Sequence, residues 1–414
     1  MFSEHEIARI RALCDQVADR LRKKHIGCFQ GMEKPLLLIS EQYPGVWLEH
    51  VYDSVMYASL FPERKDLARN TVELFLNLQT PEGQYPCYIW DPGRFPAGQP
   101  ELVGYWQTQE CVSFLRLCAM VCRTEQDPQL LERVYRSGCA WDGWIRKYRM
   151  TRGLGLPEVF CGYDTGHDNS GRLEGISCPD NYRVDGKVQN AAVLPPEDGI
   201  TPMIAVDLSA NLYATERTLA DMAEQLGRTV EADRWRASAA ALKQRLFALC
   251  LNRDDAFFYD VDKQGCQRRY RSCTVFTLFQ EHVLDPREDG ALIGEIRRRY
   301  LENPKEFASP YPYPSMSMAD PNWRKRTPRN CWGYFSQALT ALRCTLWMDD
   351  YGMSAQLDRL CECWLRAWTD HYETLKFGQE LDPVTGEPSD SSEWYSSCML
   401  FYLYGARRLG LTEK

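Results

Sequence analysis

Residues 204–251, IAVDLSANLYATERTLADMAEQLGRTVEADRWRASAAALKQRLFALCL, contain two long helical patterns separated by only a few residues. Apolar side chains recur at helical spacing on the first pattern, at Leu208, Leu212, Leu219 and Met222. The link Gly227-Arg-Thr is so short that the second helix must run back along the first. The stretch therefore predicts an antiparallel helix pair, the building unit of the fold.

The same periodicity recurs along the chain and predicts twelve helices. Their predicted ranges are 3–25, 44–60, 65–78, 105–122, 128–148, 204–226, 230–251, 274–282, 290–301, 330–347, 353–372 and 392–409. Connections after even-numbered helices are short. Those after odd-numbered helices are long and cover about 26–43, 80–104, 149–203, 252–273, 302–329 and 373–391. Because short links make helices alternate up and down, the six long connections are expected at one end of the molecule.

Twelve alternating helices with all long connections at one end predict an all-α fold, the (α/α)6 barrel, with a pocket at one mouth. Such a barrel accounts for all 414 residues, so we expect one domain spanning 1–414 although the length alone favours two. A superhelical stack of helix pairs is the structural alternative. It is disfavoured because the sequence has no repeat of fixed period.

Charge and composition narrow the class of partner. The net charge of -8 argues against binding to nucleic acid. One basic run, Arg324-Lys-Arg326 with Arg329, is either a solvated loop or a contact for an anionic part of a substrate. No apolar run is long enough to cross a membrane, and no signal segment precedes Ser3-Glu-His-Glu6. Seventeen cysteines without a CxxC pair indicate free thiols. We therefore expect a cytoplasmic protein of unspecified oligomeric state.

Two long connections contain the acidic residues that best fit catalysis. Asp168 lies in FCGYDTGHDNSG (160–171), and residues 373–393 contain several more carboxylates. Taken alone, Asp168 fits an Asx turn better than catalysis, and its spacing from Asp164 and Glu174 does not match a calcium loop. If both connections open at the same mouth, however, two carboxylates face one pocket. Such a pair performs glycoside hydrolysis, with one acting as acid and the other as base.

The order of short motifs resembles that of glycoside hydrolase family 63 and its relatives, the bacterial α-glucosidases and mannosylglycerate hydrolases. The matching stretches, from about residue 43 to 409, are YDS (52–54), QTPEGQYP (79–86), Gln107, GYDTGHDNS (162–170), VDLSANLY (206–213), AFFYD (256–260), CWG (331–333), DPVTG (382–386) and Glu393-Trp394. The resemblance implies an inverting glycosidase on an (α/α)6 barrel that needs neither metal nor cofactor. Its implied substrate is a short α-glucoside, α-mannoside or glycosyl glycerate.

The resemblance also implies roles for individual residues. Asp168 aligns with the general acid, whose pKa we expect burial to raise. The family's base is a Glu four residues before a Pro, where this chain has Gln379. We therefore expect the base to be Glu380, one residue later, with Glu373 and Glu393 as alternatives. Expected substrate-binding residues are Tyr52, Asp53, Gln84, Tyr85, Gln107, Tyr163, Asp164, His167, Asn169, Asp207, Trp332, Gly333 and Trp394.

Two rival functions share the predicted barrel. A sugar epimerase of the N-acylglucosamine 2-epimerase type would need paired histidines in the barrel. The chain has only six histidines, and two of them, His5 and His25, lie on the first helix, away from the predicted mouth. A carbohydrate-binding or scaffold protein that has lost activity is the second rival, and the displacement of Glu380 from the position of the base keeps it open. A polysaccharide lyase would require an Arg beside a Tyr or His base. Only the basic run at 324–329 is a candidate source of that Arg. Loss of activity in Asp168→Asn would separate the hydrolase from all three.

Overall fold

The computed structural model describes residues 2–98, 101–160, 164–173, 183–184, 187–188, 191–192, 202–324, 332–389 and 392–412. Within these ranges the chain forms twelve α-helices. They are α1 (Glu4–Arg20), α2 (Val51–Leu60), α3 (Asp66–Asn77), α4 (Phe114–Glu125), α5 (Pro128–Tyr148), α6 (Val206–Gln225), α7 (Thr229–Leu249), α8 (Thr274–Gln280), α9 (Gly290–Ile296), α10 (Ala338–Cys344), α11 (Ser354–Asp370) and α12 (Ser396–Arg408). Single π-turns extend α1 to His25 and α9 to Leu301.

The even-numbered helices form an inner ring and the odd-numbered helices surround it. Contacts connect α2 with α4, α4 with α6, α6 with α8, and α10 with α12, and α12 returns to α2 to close the ring. Outer helices α1, α3, α5, α7 and α11 each contact an inner helix, as α7 does α6 and α11 does α12. The prediction of an (α/α)6 barrel is therefore confirmed.

Burial explains which helix belongs to which ring. Helix α6 buries residues around nearly its whole circumference, including the polar Ser209, Asn211 and Thr215. Helix α7 buries only Ala232, Ala239, Leu242 and Leu246, along one stripe. A helix buried on all sides lies in an interior, whereas one with a single apolar stripe faces solvent on its other side. The antiparallel pair predicted from residues 204–251 thus consists of one inner and one outer helix.

Local signals fix several helix starts. The Ser3 hydroxyl accepts a hydrogen bond from the Glu6 amide while the Glu6 carboxylate accepts one from the Ser3 amide, which is a capping box. Asp127 caps α5 by accepting from the amides of Gln129 and Leu130, with Pro128 in the first turn. Both helices begin within a residue of their predicted start.

Three inner helices begin later than predicted. Helices α2, α4 and α10 start at Val51, Phe114 and Ala338, seven to nine residues beyond the predicted starts at 44, 105 and 330. The residues before two of these helices are partly extended, and they pair with other connections at the mouth. The described strands are β1 (Ile26–Cys28), β2 (Pro35–Leu37), β3 (Gly45–Trp47), β4 (Tyr88–Trp90), β5 (Val103–Gly104), β6 (Glu158–Val159), β7 (Arg183–Val184), β8 (Lys187–Val188), β9 (Met203–Ile204), β10 (Leu251–Asn252), β11 (Phe257–Phe258), β12 (Ser336–Gln337) and β13 (Glu380–Leu381).

Two of these small sheets shape the mouth. Strands β3, β4 and β5 form an antiparallel sheet in which Trp47 pairs with Tyr88 and Val46 with Ile89. Strands β12 and β13 join the connection before α10 to that before α12, with Gln337 opposite Glu380. Each sheet links connections that are far apart in sequence, so the mouth is a structured surface.

One hydrophobic cluster includes residues from all twelve helices. Cys111, Cys118 and Cys122 are buried free thiols, as predicted. Of the helices in the described ranges, none has the length and apolar composition that a bilayer crossing requires.

Candidate active site

A cavity of about 100 Å³ lies at the mouth of the barrel. It is lined by side chains from four connections: Ile39, Tyr43, Trp47, Glu49 and His50 after α1, Gln109 after α3, Asp168 after α5, and Gln379 and Tyr395 after α11. All four follow odd-numbered helices. The long connections after α5 and α11 therefore share a site, which was the premise for pairing Asp168 with a distant carboxylate.

The backbone around Asp168 is held in a specific conformation. Gly166 and Asn169 both have positive φ, at 71° and 58°, which glycine and asparagine tolerate better than other residues. The Trp332 amide donates to the Asp168 carbonyl at 3.0 Å, which ties this loop to the connection before α10. The Asp168 side chain is half-buried on the wall of the cavity. It is therefore accessible to a ligand there.

Asp164 anchors the same loop from beneath. Its carboxylate accepts two hydrogen bonds from Arg149, at 2.6 and 2.9 Å, and one each from the amides of Thr108 and Phe160. Neither Asp164 nor Arg149 reaches solvent. The Asp164 carbonyl in turn accepts from the Gln109 amide at 2.7 Å, which brings Gln109 to the cavity. Asp164 is a structural anchor in this geometry, and its contact with substrate stays a prediction.

His167 and Asp207 form a second buried layer. The His167 ring stacks on Trp332 at 4.4 Å, and its Nδ1 lies 3.6 Å from Asp207. Asp207 also accepts from Arg172, which pairs with Asp260 at 2.8 Å. Burial lowers the pKa of His167 well below its usual value, and the nearby Arg172 charge acts in the same direction. His167 is therefore a neutral ring that supports the acid loop from behind.

Glu49 is a carboxylate of the cavity for which the sequence predicted no catalytic role. It lies in a short 3-10 turn, Leu48–His50, immediately before α2, and is 8% exposed. Gln109 Nε2 donates to Glu49 Oε1 at 3.2 Å, and the Cys111 thiol lies 3.6 Å from Oε2. Burial raises the pKa of Glu49 to about 7, opposed by the nearby Arg343 charge. A carboxyl with this pKa exchanges protons near neutral pH.

His50 and Tyr395 close the floor of the cavity. His50 Nε2 lies 2.5 Å from the Tyr395 hydroxyl, and their rings meet edge to face at 5.3 Å. Burial lowers the pKa of His50 and raises that of Tyr395, so both rings are neutral at physiological pH. Tyr43 and Trp47 form the rim and belong to an aromatic cluster that includes Tyr88, Trp90 and Trp106. Aromatic faces of this kind pack well on sugar rings.

Gln379 lines the cavity, whereas the neighbouring Glu380 is not among the described lining residues. Glu380 is fully buried in β13, and its Oε2 accepts a hydrogen bond from Gln337 Nε2 at 2.6 Å. The residue at the family's base position therefore lies at the same cavity as Asp168, whereas the described hydrogen bond of Glu380 is to Gln337 of β12.

Most other predicted binding residues take part in contacts within the barrel. Asp53 accepts from the hydroxyls of Ser396 and Ser397, and Trp394 packs on Phe377 beneath Arg20. Four more have protein partners: Tyr52 with Thr345, Gln84 with the Tyr105 carbonyl, Tyr85 with Ser137, and Gln107 with Gln109. These six are not among the described lining residues of the cavity. Each of them therefore supports the barrel or the site, and direct contact with a sugar stays a prediction for all six.

The remaining predicted residues differ in their surroundings. Asn169 follows Asp168 in its loop, and Trp332, which Gly333 follows in sequence, donates to the Asp168 carbonyl. Tyr163, and Lys325 to Cys331 of the basic run, lie outside the described residues. Arg324 pairs with Asp382 at 2.8 Å and lies over Trp323. The alternative bases Glu373 and Glu393 are respectively exposed and half-buried, and neither is among the described lining residues of the cavity.

The sequence indicated Glu49 and His50 as rim residues that could contact substrate, without a catalytic role, and it did not assign Gln109 or Tyr395 to the site. Each lies shortly before an even-numbered helix, at the end where the long connection enters the barrel. Glu49 and His50 fall inside the range predicted as the second helix, 44–60, so a search of the residues before each predicted inner helix would not have found them. Gln109 was missed because it falls inside the range predicted as the fourth helix.

A family model identifies the chain. The model described as the mannosylglycerate hydrolase MGH1-like glycoside hydrolase domain matches residues 53–396, more than half of the sequence. No curated protein matches the chain.

Solved structures with related folds include three glycosidases. The family 63 mannosylglycerate hydrolase of Thermus thermophilus is 16% identical, covering 95% of this chain and 99% of its own, with a TM-score of 0.72. The neutral trehalase of Saccharomyces cerevisiae is 13% identical, covering 96% and 80%, with a TM-score of 0.63. The rhamnosidase from Klebsiella oxytoca is 12% identical, covering 99% and 65%, with a TM-score of 0.60. At these identities the similarity shows the fold alone.

Proposed function

Because the chain belongs to the mannosylglycerate hydrolase MGH1-like glycoside hydrolases, we propose that it hydrolyses a short α-glycoside with inversion at the anomeric carbon. As a glycosidase it acts on a carbohydrate. The finer proposal is that this carbohydrate is an α-glucoside, an α-mannoside or a glycosyl glycerate. The Thermus thermophilus family 63 mannosylglycerate hydrolase has been crystallised in a complex with Tris and D-glycerate, which supports including an acidic aglycone among the candidates.

In this proposal Asp168 is the general acid. It donates a proton to the oxygen of the leaving group while the bond between that oxygen and the anomeric carbon breaks. The observation that supports the role is its position: a half-buried carboxyl on the wall of a cavity with an aromatic rim. The backbone bond from Trp332 and the buried Asp164 anchor hold this carboxyl in place.

The test uses a panel of α-glycosides with neutral and acidic aglycones. Wild-type enzyme is expected to release sugar from at least one, with the anomer of the first product inverted when followed by NMR. Asp168→Asn is expected to lower kcat by roughly 10²–10⁴-fold on a substrate with a poor leaving group. The fall should be far smaller on a 2,4-dinitrophenyl glycoside, because that leaving group departs without a proton.

Asp262→Asn is the matched control for this experiment. Asp262 lies in the connection after α7 and accepts from the amides of Gln264 and Cys266, which is the Asx turn that Asp168 resembles in sequence. Asparagine preserves such a turn, so this variant should retain wild-type kcat. Equal activity in Asp168→Asn and wild type on every substrate would refute the role of Asp168.

A further inference from the structure

An inverting hydrolase needs a second carboxylate that takes a proton from the attacking water. Among the described residues that line the mouth cavity, the carboxylates are Asp168 and Glu49. Gln379 occupies the position of the family's base, but an amide cannot accept a proton at neutral pH. Glu380 is not among the described lining residues of the cavity, and its Oε2 accepts a hydrogen bond from Gln337.

We propose that Glu49 is the general base of this enzyme. The inference rests on the proposed function, because it assigns the second half of the same reaction. Glu49 takes one proton from water while the water oxygen bonds to the anomeric carbon, the glycosidic bond breaks and Asp168 protonates the departing oxygen. The products are the free sugar of inverted configuration and an alcohol. Loss of the proton from Glu49 and reprotonation of Asp168 through solvent restore the starting state.

The surroundings of Glu49 suit this role. Gln109 Nε2 donates to Oε1, which fixes the orientation of the carboxylate. Gly166, two residues before the acid, lies against Oε2, so Glu49 and the acid loop are direct neighbours. Arg343 donates to the Glu49 carbonyl at 3.0 Å, and its charge limits the cost of ionising the buried carboxyl. The Gln379 side chain lines the same cavity, and its amide can donate a hydrogen bond to the attacking water.

Charged and titratable groups around Glu49 influence its pKa, and its role as the base makes kcat depend on that pKa. These groups include Arg343, Asp53, His50, Cys111, Tyr395 and, on the same cavity, Asp168. Because burial raises the pKa of Glu49 to about 7, the base is protonated and inactive in mild acid. We expect kcat to rise with pH through about 7, where Glu49 ionises, and this limb should be absent from any variant without the carboxylate.

The experiment compares four variants on the best substrate of the panel. Glu49→Gln and Glu49→Ala are expected to lower kcat by roughly 10²–10⁴-fold with little change in KM. Azide, an anion that attacks without losing a proton, should restore cleavage by Glu49→Ala and yield a glycosyl azide of inverted configuration. A purely structural role for Glu49 would not produce that product.

Glu110→Gln serves as the matched control, and Glu380→Ala as the competing assignment. Glu110 is also buried, and burial raises its pKa to about 8, but its Oε1 caps the Phe114 amide and it is not among the described lining residues of the cavity. Its amide variant retains that acceptor and should retain kcat. Thermal unfolding followed by circular dichroism checks that every variant is folded.

The outcomes separate the two proposals. Two results would overturn the assignment of Glu49 and leave the proposed hydrolase intact. One is full activity of Glu49→Gln beside an active wild type. The other is azide rescue of Glu380→Ala but not of Glu49→Ala. Absence of hydrolysis by wild type on the whole panel would overturn both and favour the inactive carbohydrate-binding relative.

Discussion

The carboxylate of Asp164 accepts four hydrogen bonds at a position where neither it nor Arg149 is exposed. Truncating one partner of such a buried pair leaves the other charge uncompensated. We therefore expect Asp164→Ala to lower the free energy of unfolding by about 3–5 kcal/mol, as measured by urea denaturation.

The double variant Arg149→Met/Asp164→Leu is the control for this prediction. It removes both charges and replaces them with apolar groups, so it should lose less stability than Asp164→Ala alone. A loss below about 1 kcal/mol in the single variant, the usual value for an exposed ion pair, would show that water reaches the pair in solution.

At the scale of single residues, the sequence predicted that Asp168 lies at the mouth but did not predict its surroundings. Asp168 could be placed at the mouth because its loop follows an odd-numbered helix. The partners of Asp53, Tyr52 and Trp394 could not be deduced, since each lies in a distant part of the chain. Asp53, for example, meets hydroxyls at Ser396 and Ser397. Whether a carboxylate binds sugar or stabilises the barrel depends on such long-range contacts, which a motif does not encode.

The loop that contains Asp168 depends on a glycine. Gly166 has φ 71°, and a Cβ there would overlap Glu49 Oε2 and lie 2.6 Å from Cys111 Sγ. Alanine at this position would force Glu49 and the acid loop apart. We expect Gly166→Ala to lower kcat at least tenfold, since displacements of about 1 Å in a catalytic site have effects of this size or larger.

Gly153→Ala separates this effect from ordinary backbone strain. Gly153 has φ 67° in the same connection, but a Cβ there would meet nothing within 4 Å. Both variants therefore introduce the same left-handed alanine, and only Gly166→Ala crowds the site. Steady-state kinetics and thermal unfolding of the pair test this, and equal kcat values in the two variants would count against the close packing of Glu49 on the acid loop.

At the scale of elements, helix periodicity predicted all twelve helices but misplaced the start of three. The apolar residues of 45–47 continue a helical pattern toward α2, yet they pair as β3 with β4 across more than forty residues. Similarly, Ser336 and Gln337 pair with β13 instead of extending α10 toward its N-terminus. Strand pairing between connections is non-local, so a window of one chain segment cannot detect it. These extended segments are also the ones that shape the mouth.

The whole molecule closes where the two ends of the chain meet. Helix α12 contacts both α1 and α2, and its first turn supplies Ser396 and Ser397 to the buried carboxylate of Asp53 in α2. Closure of this ring was predicted, because alternating helices without a repeat of fixed period favour a closed barrel over an open superhelical stack. The hydroxyl–carboxylate contact that fixes the closure was not.

Removing that contact should weaken the barrel in a pH-dependent way. Burial raises the pKa of Asp53 to about 6, opposed by the two serine hydroxyls and by Arg343. Because this folded-state pKa is raised, the contribution of Asp53 to stability is complete below about pH 4 and is lost as pH rises through about 6. Without the serine hydroxyls the ionised Asp53 carboxylate is less compensated, so ionisation of Asp53 lowers the stability of the folded state further. We expect Ser396→Ala/Ser397→Ala to lose about 2–4 kcal/mol at pH 8.

At pH 5 the loss in this double variant should be less than half as large, because Asp53 is then mostly protonated. Urea denaturation at the two pH values measures the difference. Ser54→Ala is the control, since the Ser54 hydroxyl donates to the neutral Val51 carbonyl in the same helix and its removal should cost the same at both pH values. If the double variant behaved like Ser54→Ala, Asp53 would have to remain un-ionised up to pH 8. Ring closure would then depend on apolar packing between α12 and α2 instead of on hydrogen bonds to a charged group.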